Sequence, residues 1–386
     1  MKTVCEKNKC TGCMACINMC SKNAIILKDQ LKYFNAIIDE ESCVLCNQCY
    51  HVCPQNHLPM LTKPKEWKEG WADDSIRARS SSGGVATAIM KAFINEGGCA
   101  CSCLFENGEF VFKIIDNQES LGIFTGSKYV KSNPKMIYRE IKNKLTEHQK
   151  LLFIGLPCQV SALKNYVGNQ LTENLYTIDL ICHGTPSSNL LDLFLKKYGT
   201  SLGKMKDIQF RQKTNFNIYS DYHSLVPKGM TDEYTIGFLN GIFYTENCYE
   251  CRYARIDRIG DVTLGDSWGS ELAQNERRKG VSLVLCQTKK GKQLLEWSDL
   301  QLKDVNLDKA ISANRQLEHP SIKPAKRESF FYEIEKGRDF HDAMKKSCFN
   351  QIMKQNIKRI LVKVGVISSE GRIVYNVLIR ESDMAD

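Results

Sequence analysis

Cysteines are the residues of this sequence whose number and spacing could do chemistry, with 18 in a chain of 386 residues. Eight of them form two runs with the same pattern, C-x-x-C-x-x-C-x-x-x-C. Each cysteine of the second run lies 33 residues after its counterpart in the first, which indicates an internal duplication. The first run contains Cys10, Cys13, Cys16 and Cys20, and the second contains Cys43, Cys46, Cys49 and Cys53.

The pattern predicts a bacterial-type ferredoxin module with two [4Fe–4S] clusters. The C-x-x-C-x-x-C loop supplies three thiolates to one cluster, and the fourth cysteine, expected at the start of a short helix, ligates the other cluster. We therefore assign cluster one to Cys10, Cys13, Cys16 and Cys53, and cluster two to Cys20, Cys43, Cys46 and Cys49. Zinc is the alternative, but zinc sites favour paired C-x-x-C knuckles over triple runs. Cys5 lies outside the pattern and has no expected role.

Four later cysteines have a less specific pattern. Cys158 follows an apolar strand and begins an amphipathic helix, and Cys182 is expected at the same place in a second strand–turn–helix unit. Ligand sites of open α/β sheets gather at such strand ends, and a helix N-terminus favours the thiolate. Cys248 and Cys251 form a C-x-x-C before a further strand and a GDSWG turn. From the residues alone the four predict a third cluster, a structural zinc site in which His183 could replace a thiolate, or unrelated cysteines.

Regular elements must position these groups. Residues 24–29 and 34–41 read as two short strands between the cysteine runs, as a ferredoxin module requires. An apolar period of 3.6 residues predicts a helix that begins near Gly84, after a turn rich in serine and glycine. Free N–H groups at a helix N-terminus bind phosphate, and a plain capped loop is the equal alternative.

Other segments are expected to support the sites. A hairpin around Asn107-Gly108 carries Cys99, Cys101 and Cys103, which we interpret as small buried apolar residues. The polar stretch 61–80 is expected to link the ferredoxin module to the remainder. From about Phe340 the chain is basic and amphipathic, which predicts a helix packed on the core, with contact to an anionic membrane as the alternative.

Composition and charge limit the class of protein. The hydrophobic share of 42% and the mean hydropathy of −0.34 are typical of soluble globular proteins. No apolar run reaches the length of a membrane span, and the N-terminus lacks a secretory pattern, so we expect a cytoplasmic protein whose thiols are not in disulfides. The formal charge of +9 favours an anionic partner or reflects a solvated, lysine-rich surface. We expect no nucleic-acid partner.

With these elements in order, the chain from about Lys65 to about Lys336 resembles the coenzyme F420 hydrogenase/dehydrogenase beta-subunit family. Each motif alone is weak evidence for this family, but the complete set in this order is specific to it. The ferredoxin fusion and the segment NRQLEHPSIKPAKRESFF are also similar to bacterial members, some of which are associated with surface-polysaccharide synthesis. The motifs are SSGG at 81–84, GSKYVKS at 126–132, GLPCQ at 155–159, ICHG at 181–184, CYEC at 248–251 and GDSWG at 265–269.

The resemblance implies an iron–sulfur flavoprotein that binds FAD beside a [4Fe–4S] cluster. By matching motif, it implies that Cys158, Cys182, Cys248 and Cys251 ligate a third cluster. It also implies FAD contacts, in which lysine suits the pyrophosphate and glycine allows a close backbone approach. The implied contacts are Ser81, Ser82, Gly83, Gly84, Lys128, Tyr129, Ser132 and Asp266, with Trp268 near the flavin edge.

We expect an α+β multidomain protein: a ferredoxin fold, a mixed α/β core that binds flavin and a cluster, and a helical C-terminal extension. The expected divisions are 1–62 for the ferredoxin module, 63–148 for the FAD-binding part of the core, 149–336 for the part with the third cluster, and 337–386 for the basic helical tail.

The expected function is electron transfer that ends at a group able to exchange two electrons with a substrate. A small electron carrier or redox partner enzyme would exchange electrons with the clusters, and FAD would exchange them with an organic substrate or the deazaflavin coenzyme F420. One alternative is a non-catalytic electron-transfer subunit that serves a partner enzyme. Another is an assembly protein of polysaccharide biosynthesis with structural clusters. The sequence assigns no acid–base residue.

Overall fold

The computed structural model describes residues 2–221, 223–227 and 229–364. Its strands are β1 Lys2–Thr3, β2 Ile25–Asp29, β3 Phe34–Ile38, β4 Glu66–Trp71, β5 Cys99–Glu106, β6 Glu109–Ile115, β7 Leu151–Gly155, β8 Leu175–Leu180, β9 Gln209–Gln212, β10 Asn215–Ser220, β11 His223–Ser224, β12 Val262–Asp266, β13 Ser282–Cys286 and β14 Gln301–Asp304.

Its α-helices are α1 Ala15–Met19, α2 Gln48–Val52, α3 Asp74–Arg79, α4 Val85–Asn95, α5 Ile137–Thr146, α6 Pro157–Val167, α7 Ser188–Leu195, α8 Glu233–Leu239, α9 Gln274–Lys279, α10 Lys289–Trp297, α11 Leu307–Ala313, α12 Lys326–Glu335, α13 Phe340–Ser347 and α14 Phe349–Lys363. Short 3-10 turns connect several of them, including Glu119–Phe124 and Glu246–Glu250. No helix of the described ranges is long and apolar enough to cross a membrane.

The ferredoxin module repeats one backbone plan twice. The predicted strands are confirmed as β2 and β3, which pair with β1 in the order β1-β3-β2. Each cysteine run makes a turn, with Met14 and Asn47 both at φ 60°, and then a five-residue helix, α1 or α2. The fourth cysteines were expected at the start of a helix, and this is wrong. Cys20 and Cys53 are the residues that end α1 and α2, because the turn of three cysteines itself leads into the helix.

The core is an eight-stranded mixed sheet with the order β14-β4-β13-β12-β8-β7-β5-β6. Four consecutive strands of this order, β12, β8, β7 and β5, are parallel, and β5 and β6 form the predicted hairpin. The stretch 61–80 is not the linker we expected, since it forms β4 and α3. Strand β4 has the sequence EWKEGW, in which three of the six residues are charged. It pairs with β13 and β14 more than 200 residues later, which a local pattern does not reveal.

Helices cover both faces of the sheet. On one face α4 and α10 bury an apolar cluster that includes Ile89, Phe93 and Leu294. On the other face α5 and α6 pack against the sheet, and the ferredoxin helices α1 and α2 pack in turn on α6. Two side-chain bonds also join α1 to the start of α5, since Asn18 Nδ2 donates to Lys135 O at 2.6 Å and Arg139 Nε donates to Asn18 O at 2.7 Å.

The C-terminal helices close a second core around the small sheet β9–β11. Phe340, Ala343 and Met344 of α13 are buried against α7 and α8, so the described start of the C-terminal extension packs on the core. The distal part of α14 exposes Ile357 and Ile360. The remainder of the expected basic tail, 365–386, lies outside the described residues.

Candidate redox site

The four cysteines assigned to cluster one lie together in the structure. All are buried, and burial followed by the charges of Cys53 and Cys10 raises the pKa of Cys13. Cys16 also has a raised pKa, because of burial and then the charges of Cys13, Cys10 and Cys53. This is the crossed set that the spacing predicts, with three members from the first run and one from the second. Ligation itself stays a prediction.

The four cysteines assigned to cluster two also lie together, but near the surface. Burial and then the charges of Cys43, Cys46 and Cys20 raise the pKa of Cys49. Cys46 is exposed, and its neighbours Val44 and Leu45 expose 58% and 69% of their surface. The cysteines assigned to cluster two therefore lie at the solvent side of the module, and those assigned to cluster one lie at its buried side.

Cys5, for which we expected no role, lies against two of the cysteines assigned to cluster one. Its side chain hydrogen-bonds to Cys10 and Cys53, and these bonds raise the pKa of Cys5 and lower the pKa of Cys53. Hydrogen bonds to cluster sulfurs influence the reduction potential. Cys5 stands outside the repeat, so the cysteine spacing gave no signal for this contact.

The four core cysteines converge from three separate segments. Cys158 lies in the first turn of α6, while Cys248 and Cys251 lie in and just after a 3-10 turn. We expected Cys182 at a helix N-terminus, and this is wrong. It follows the end of β8 in a loop, and α7 begins only at Ser188, because the loop first passes the large cavity described below.

A small cavity between these segments is lined by all four thiols and by Lys131. Burial and then the charges of Cys248, Cys158 and Cys251 raise the pKa of Cys182. The arrangement brings the four together as the resemblance implies. Within the described part of the chain no three His, Cys, Asp or Glu side chains converge on a position for one metal ion. A four-iron cluster instead offers a separate iron to each thiolate.

A buried ion pair holds two of these segments in place. The Arg258 guanidinium bonds to the Asp179 carboxylate at 2.8 Å, and both side chains are almost fully buried. Arg258 also donates to Tyr253 O at 2.8 Å and to Leu180 O at 3.2 Å. Asp179 in turn accepts from the N–H of Gly260 at 2.8 Å. The pair thus ties the C-x-x-C segment to the end of β8, two residues before Cys182.

Two buried hydroxyls beside the cysteines have no hydrogen-bond partner among the described residues. Thr185 Oγ1 belongs to the wall of the small cavity. Tyr138 Oη is fully buried, and its pKa is raised by burial and then by the charges of Cys13 and Cys158. Buried hydroxyls are normally paired, so Thr185 Oγ1 in the cavity wall is available to donate to an acceptor atom of a group held there. The residues present therefore fit an iron–sulfur cluster.

A second cavity, of about 570 Å³, opens on the other side of Cys182. This volume lies within the range of small-molecule and cofactor sites. Seven of the eight expected FAD contacts line it, and so does Trp268: Ser81, Ser82, Gly84, Lys128, Tyr129, Ser132 and Asp266. Gly83 does not line it. Its N–H donates to Ser282 Oγ at 3.1 Å, and an added Cβ would lie 2.4 Å from Gly70 O, so it fixes the turn to the sheet.

The N-terminus of α4 points its free N–H groups toward this cavity. The helix begins after Gly84, whose φ of 83° is a left-handed conformation that favours glycine. No side chain caps the first turn, so its N–H groups are available to a ligand. Ser81 and Ser82 line the same corner. The corner is therefore suited to a phosphate.

Lys128 adds a cation to the cavity wall. Its ammonium donates to Phe124 O at 2.8 Å and to Thr125 O at 3.0 Å. Burial lowers the pKa of Lys128 to about 8, against the opposing charge of Cys103. An anionic ligand would offset the cost of holding this charge away from water.

Arg211 is a cavity residue that the sequence did not identify. Its guanidinium pairs with both oxygens of Asp266 at 2.6 and 3.0 Å and donates to Ser81 O at 2.7 Å. It also donates to Tyr129 Oη at 3.2 Å. Arg211 thus connects three expected FAD contacts, and Asp266 is held by an ion pair. A single arginine in a short strand gave no local signal for this role.

These features define a class of protein before any comparison: an iron–sulfur electron-transfer protein with a cofactor-sized cavity beside four core cysteines. Comparison with family models agrees. Residues 9–57 match the 4Fe-4S dicluster domain, and residues 148–306 match the family described as the C terminus of the beta subunit of coenzyme F420 hydrogenase/dehydrogenase. The chain thus has an N-terminal segment that matches a dicluster ferredoxin domain and a longer segment that matches the C-terminal part of the F420 hydrogenase/dehydrogenase beta subunit.

Individual relatives are distant. One subunit of the F(420)H(2) dehydrogenase of Methanosarcina mazei is 23% identical over 304 residues, which cover 71% of this chain and 81% of that protein. An uncharacterized protein of Methanocaldococcus jannaschii is 25% identical over 41% of this chain. The match spans about half (52%) of that relative's length. A chain of the F420-reducing [NiFe] hydrogenase complex from Methanosarcina barkeri is 20% identical, with a TM-score of 0.47, over 72% of this chain and 96% of its own.

Proposed function

We propose that this chain is an iron–sulfur flavoprotein oxidoreductase that carries electrons between a redox partner at its surface and a two-electron substrate at the large cavity. Cluster two, cluster one and a third cluster at Cys158, Cys182, Cys248 and Cys251 form the path, and FAD occupies the cavity. The organic substrate, coenzyme F420 included, would react at the same cavity.

One observation carries the proposal: the four-thiol cavity and the large cavity share a wall. Cys182, His183, Gly184 and Thr185 line both. A cluster held by Cys182 would therefore lie next to a cofactor held by the wall of the large cavity. No other segment needs to intervene between the two sites.

The residues of the large cavity support a flavin dinucleotide. The first turn of α4 and Lys128 would bind the pyrophosphate, and Arg211 would keep Ser81 and Asp266 in position. A bound flavin supplies the exchange between one-electron and two-electron chemistry that clusters alone lack. Ile154, Leu180 and Leu264 of the sheet add apolar side chains to the cavity wall.

The burial of the cysteines supports an order for the path. Cys46 is exposed, whereas the cluster-one cysteines are buried. The charges of both Cys13 and Cys158 raise the pKa of Tyr138, which places this tyrosine near the two sites. Electrons entering at cluster two would thus pass cluster one before the third cluster. The exposed side chains Val44, Leu45 and Tyr50 around cluster two would form the contact with the electron carrier or partner enzyme.

Anaerobic purification with quantified iron, sulfide and flavin tests this proposal. Three [4Fe–4S] clusters and one flavin predict about twelve irons and one FAD per chain. A content of about eight irons, with zinc and no flavin, would contradict the core assignment and leave the ferredoxin module alone.

A second candidate is a subunit without its own substrate reaction. Its support is that the relative from Methanosarcina mazei is itself one subunit of a dehydrogenase. An assay of the purified chain with a reduced dye or carrier distinguishes the enzyme from the electron-transfer subunit. Reduction of deazaflavin without a partner favours the enzyme. Reversible cluster reduction without substrate turnover favours the subunit, and clusters that cannot be reduced reversibly favour a structural role in polysaccharide assembly.

A further inference from the structure

Lys131 is buried where the ferredoxin module meets the core. Its side chain is 6% exposed, and its backbone N–H donates to Pro186 O at 2.8 Å. It lines the small cavity with the four core cysteines. Thr11 and Gln55 of the ferredoxin module line the same cavity, one residue after Cys10 and two after Cys53. Lys131 thus lies between the ligands assigned to cluster one and to the third cluster.

Thiolates are the charges that act on this ammonium. Burial opposes the charged form, but the charges of Cys158, Cys248 and Cys182 outweigh it and raise the pKa of Lys131. Cys13 of the ferredoxin module acts in the same direction. A lysine is ordinarily protonated at neutral pH, and the place of Lys131 in the cavity wall beside four proposed thiolate ligands favours its ammonium form.

Two other cations near this cavity pair with carboxylates, and a third, Arg252 in the cavity wall, donates to Gln55 O at 2.9 Å. Arg258 forms the buried pair with Asp179, and Lys9 of the ferredoxin module pairs with Glu250. In the described part of the chain, Lys131 has no such ion pair with a carboxylate. Its charge is thus directed at the cysteines.

We propose that Lys131 sets the reduction potential of the third cluster, and to a lesser extent that of cluster one, by holding a positive charge between them. Each cluster gains one electron on reduction and no bond is made or broken, so the reduced form carries one more negative charge. A buried cation close by stabilises that form and raises the potential. The inference rests on the proposed third cluster.

The geometry predicts a graded effect. Lys131 shares the wall of the small cavity with the four core cysteines, whereas the ferredoxin module contributes only Thr11 and Gln55, which are neighbours of cluster-one cysteines. Among the residues that the structure describes, no cluster-two cysteine lines this cavity. The third cluster should respond most to loss of the charge, cluster one less, and cluster two not at all. Cluster two is thus a reference within the same chain. A lysine that served only to pack the interface would not produce this gradient.

The test is a redox titration, followed by EPR, of the full chain purified anaerobically. Lys131→Met removes the charge and keeps the length, Lys131→Gln is a second neutral variant, and Lys131→Arg retains the charge. Lys135→Met is the matched control, because this exposed lysine of the same segment pairs with Glu109 at 2.5 Å. The signal that Cys182→Ser lacks identifies the third cluster.

Both neutral variants are expected to shift the third cluster to a more negative potential and cluster one by less, with cluster two unchanged. Lys131→Arg and Lys135→Met should keep wild-type potentials. Unchanged potentials in the neutral variants at about twelve irons overturn this inference but leave the proposed function standing. Loss of the third cluster from both neutral variants also overturns it, because Lys131 would then serve cluster assembly. About eight irons in the wild type would overturn the proposed function and this inference together.

Discussion

At the scale of single residues, the charge of Lys128 is the feature of the large cavity most open to measurement. Burial lowers the pKa of Lys128 to about 8, with the charge of Cys103 opposing the shift. Its ammonium therefore loses its proton as the pH rises from 7 to 9, where most surface lysines keep theirs. A ligand with an anionic pyrophosphate would bind the protonated form.

We predict that FAD binds this chain more weakly as the pH rises through about 8, because the neutral lysine no longer attracts the pyrophosphate. Lys128→Met should lower the affinity about tenfold at pH 7, the effect of one charge-assisted hydrogen bond, and remove this pH dependence. Flavin fluorescence titrations between pH 6.5 and 9 measure both effects. Lys135→Met, on the exposed part of the same segment, is the control and should behave as wild type. An unchanged affinity in Lys128→Met would contradict the pyrophosphate contact.

A second residue-scale prediction concerns the Arg258–Asp179 pair beneath the core cysteines. Arg258→Met leaves the Asp179 carboxylate buried without its partner, which costs about 3–5 kcal/mol. Asp179→Asn in the same chain should recover part of this loss, since the amide oxygen still accepts from Gly260 N–H. Denaturant unfolding of the anaerobic protein measures the effect. A loss below about 1 kcal/mol in the single variant would show that the pair does not hold these segments.

These residues also show which parts of the site can be predicted from the sequence. The ferredoxin cysteines are predictable because their spacing is local and repeated. Arg211, Cys5 and Lys131 are not, since each acts on groups that the fold brings from distant parts of the chain. Arg211 is 55 residues from its partner Asp266 and lies in a different sheet.

At the scale of elements, the Ser-Ser-Gly-Gly turn is held from three sides before α4 begins. Arg211 bonds to Ser81 O, the Ser82 hydroxyl donates to Val281 O at 2.9 Å, and Gly83 lies against β4 and β13. The turn is thus set by the sheet rather than by its own sequence. Helix α4 was predictable from its apolar period. The contacts that hold the turn depend in part on β4, which the local sequence pattern predicts to be a linker.

Gly83→Ala should move this turn, because the new Cβ would lie 2.4 Å from Gly70 O and 2.9 Å from Ser282 N, both backbone atoms. We predict at least a tenfold loss of FAD affinity with iron content unchanged. Gly203→Ala is the control, since its Cβ would meet nothing within 4 Å. Flavin and iron contents of the two purified variants decide the point. Full flavin occupancy in Gly83→Ala would contradict the role of the turn.

At the scale of the whole molecule, the ferredoxin module contacts the core directly, because α1 and α2 pack on α6, whose first turn carries Cys158. The sequence predicted both parts and their class of fold. The sequence did not predict how the ferredoxin module and the core contact each other, because the contact is made by Asn18, Arg139 and other polar side chains with no repeated pattern. The four-part division of the chain stays a prediction.

The central claim is that electrons cross from the ferredoxin module to the large cavity through Cys182. Rapid mixing of the FAD-loaded chain with a reduced small electron carrier, followed by flavin absorbance, tests it most directly. Cys182→Ser removes one ligand of the proposed third cluster. Cys286→Ser is the matched control, because this buried thiol bonds only to Thr288 O at 3.6 Å in the described structure.

We predict that wild type and Cys286→Ser reduce the flavin at similar rates, and that Cys182→Ser retains FAD, loses about four irons and slows flavin reduction at least a hundredfold. Flavin reduction in Cys182→Ser at the wild-type rate would contradict the account.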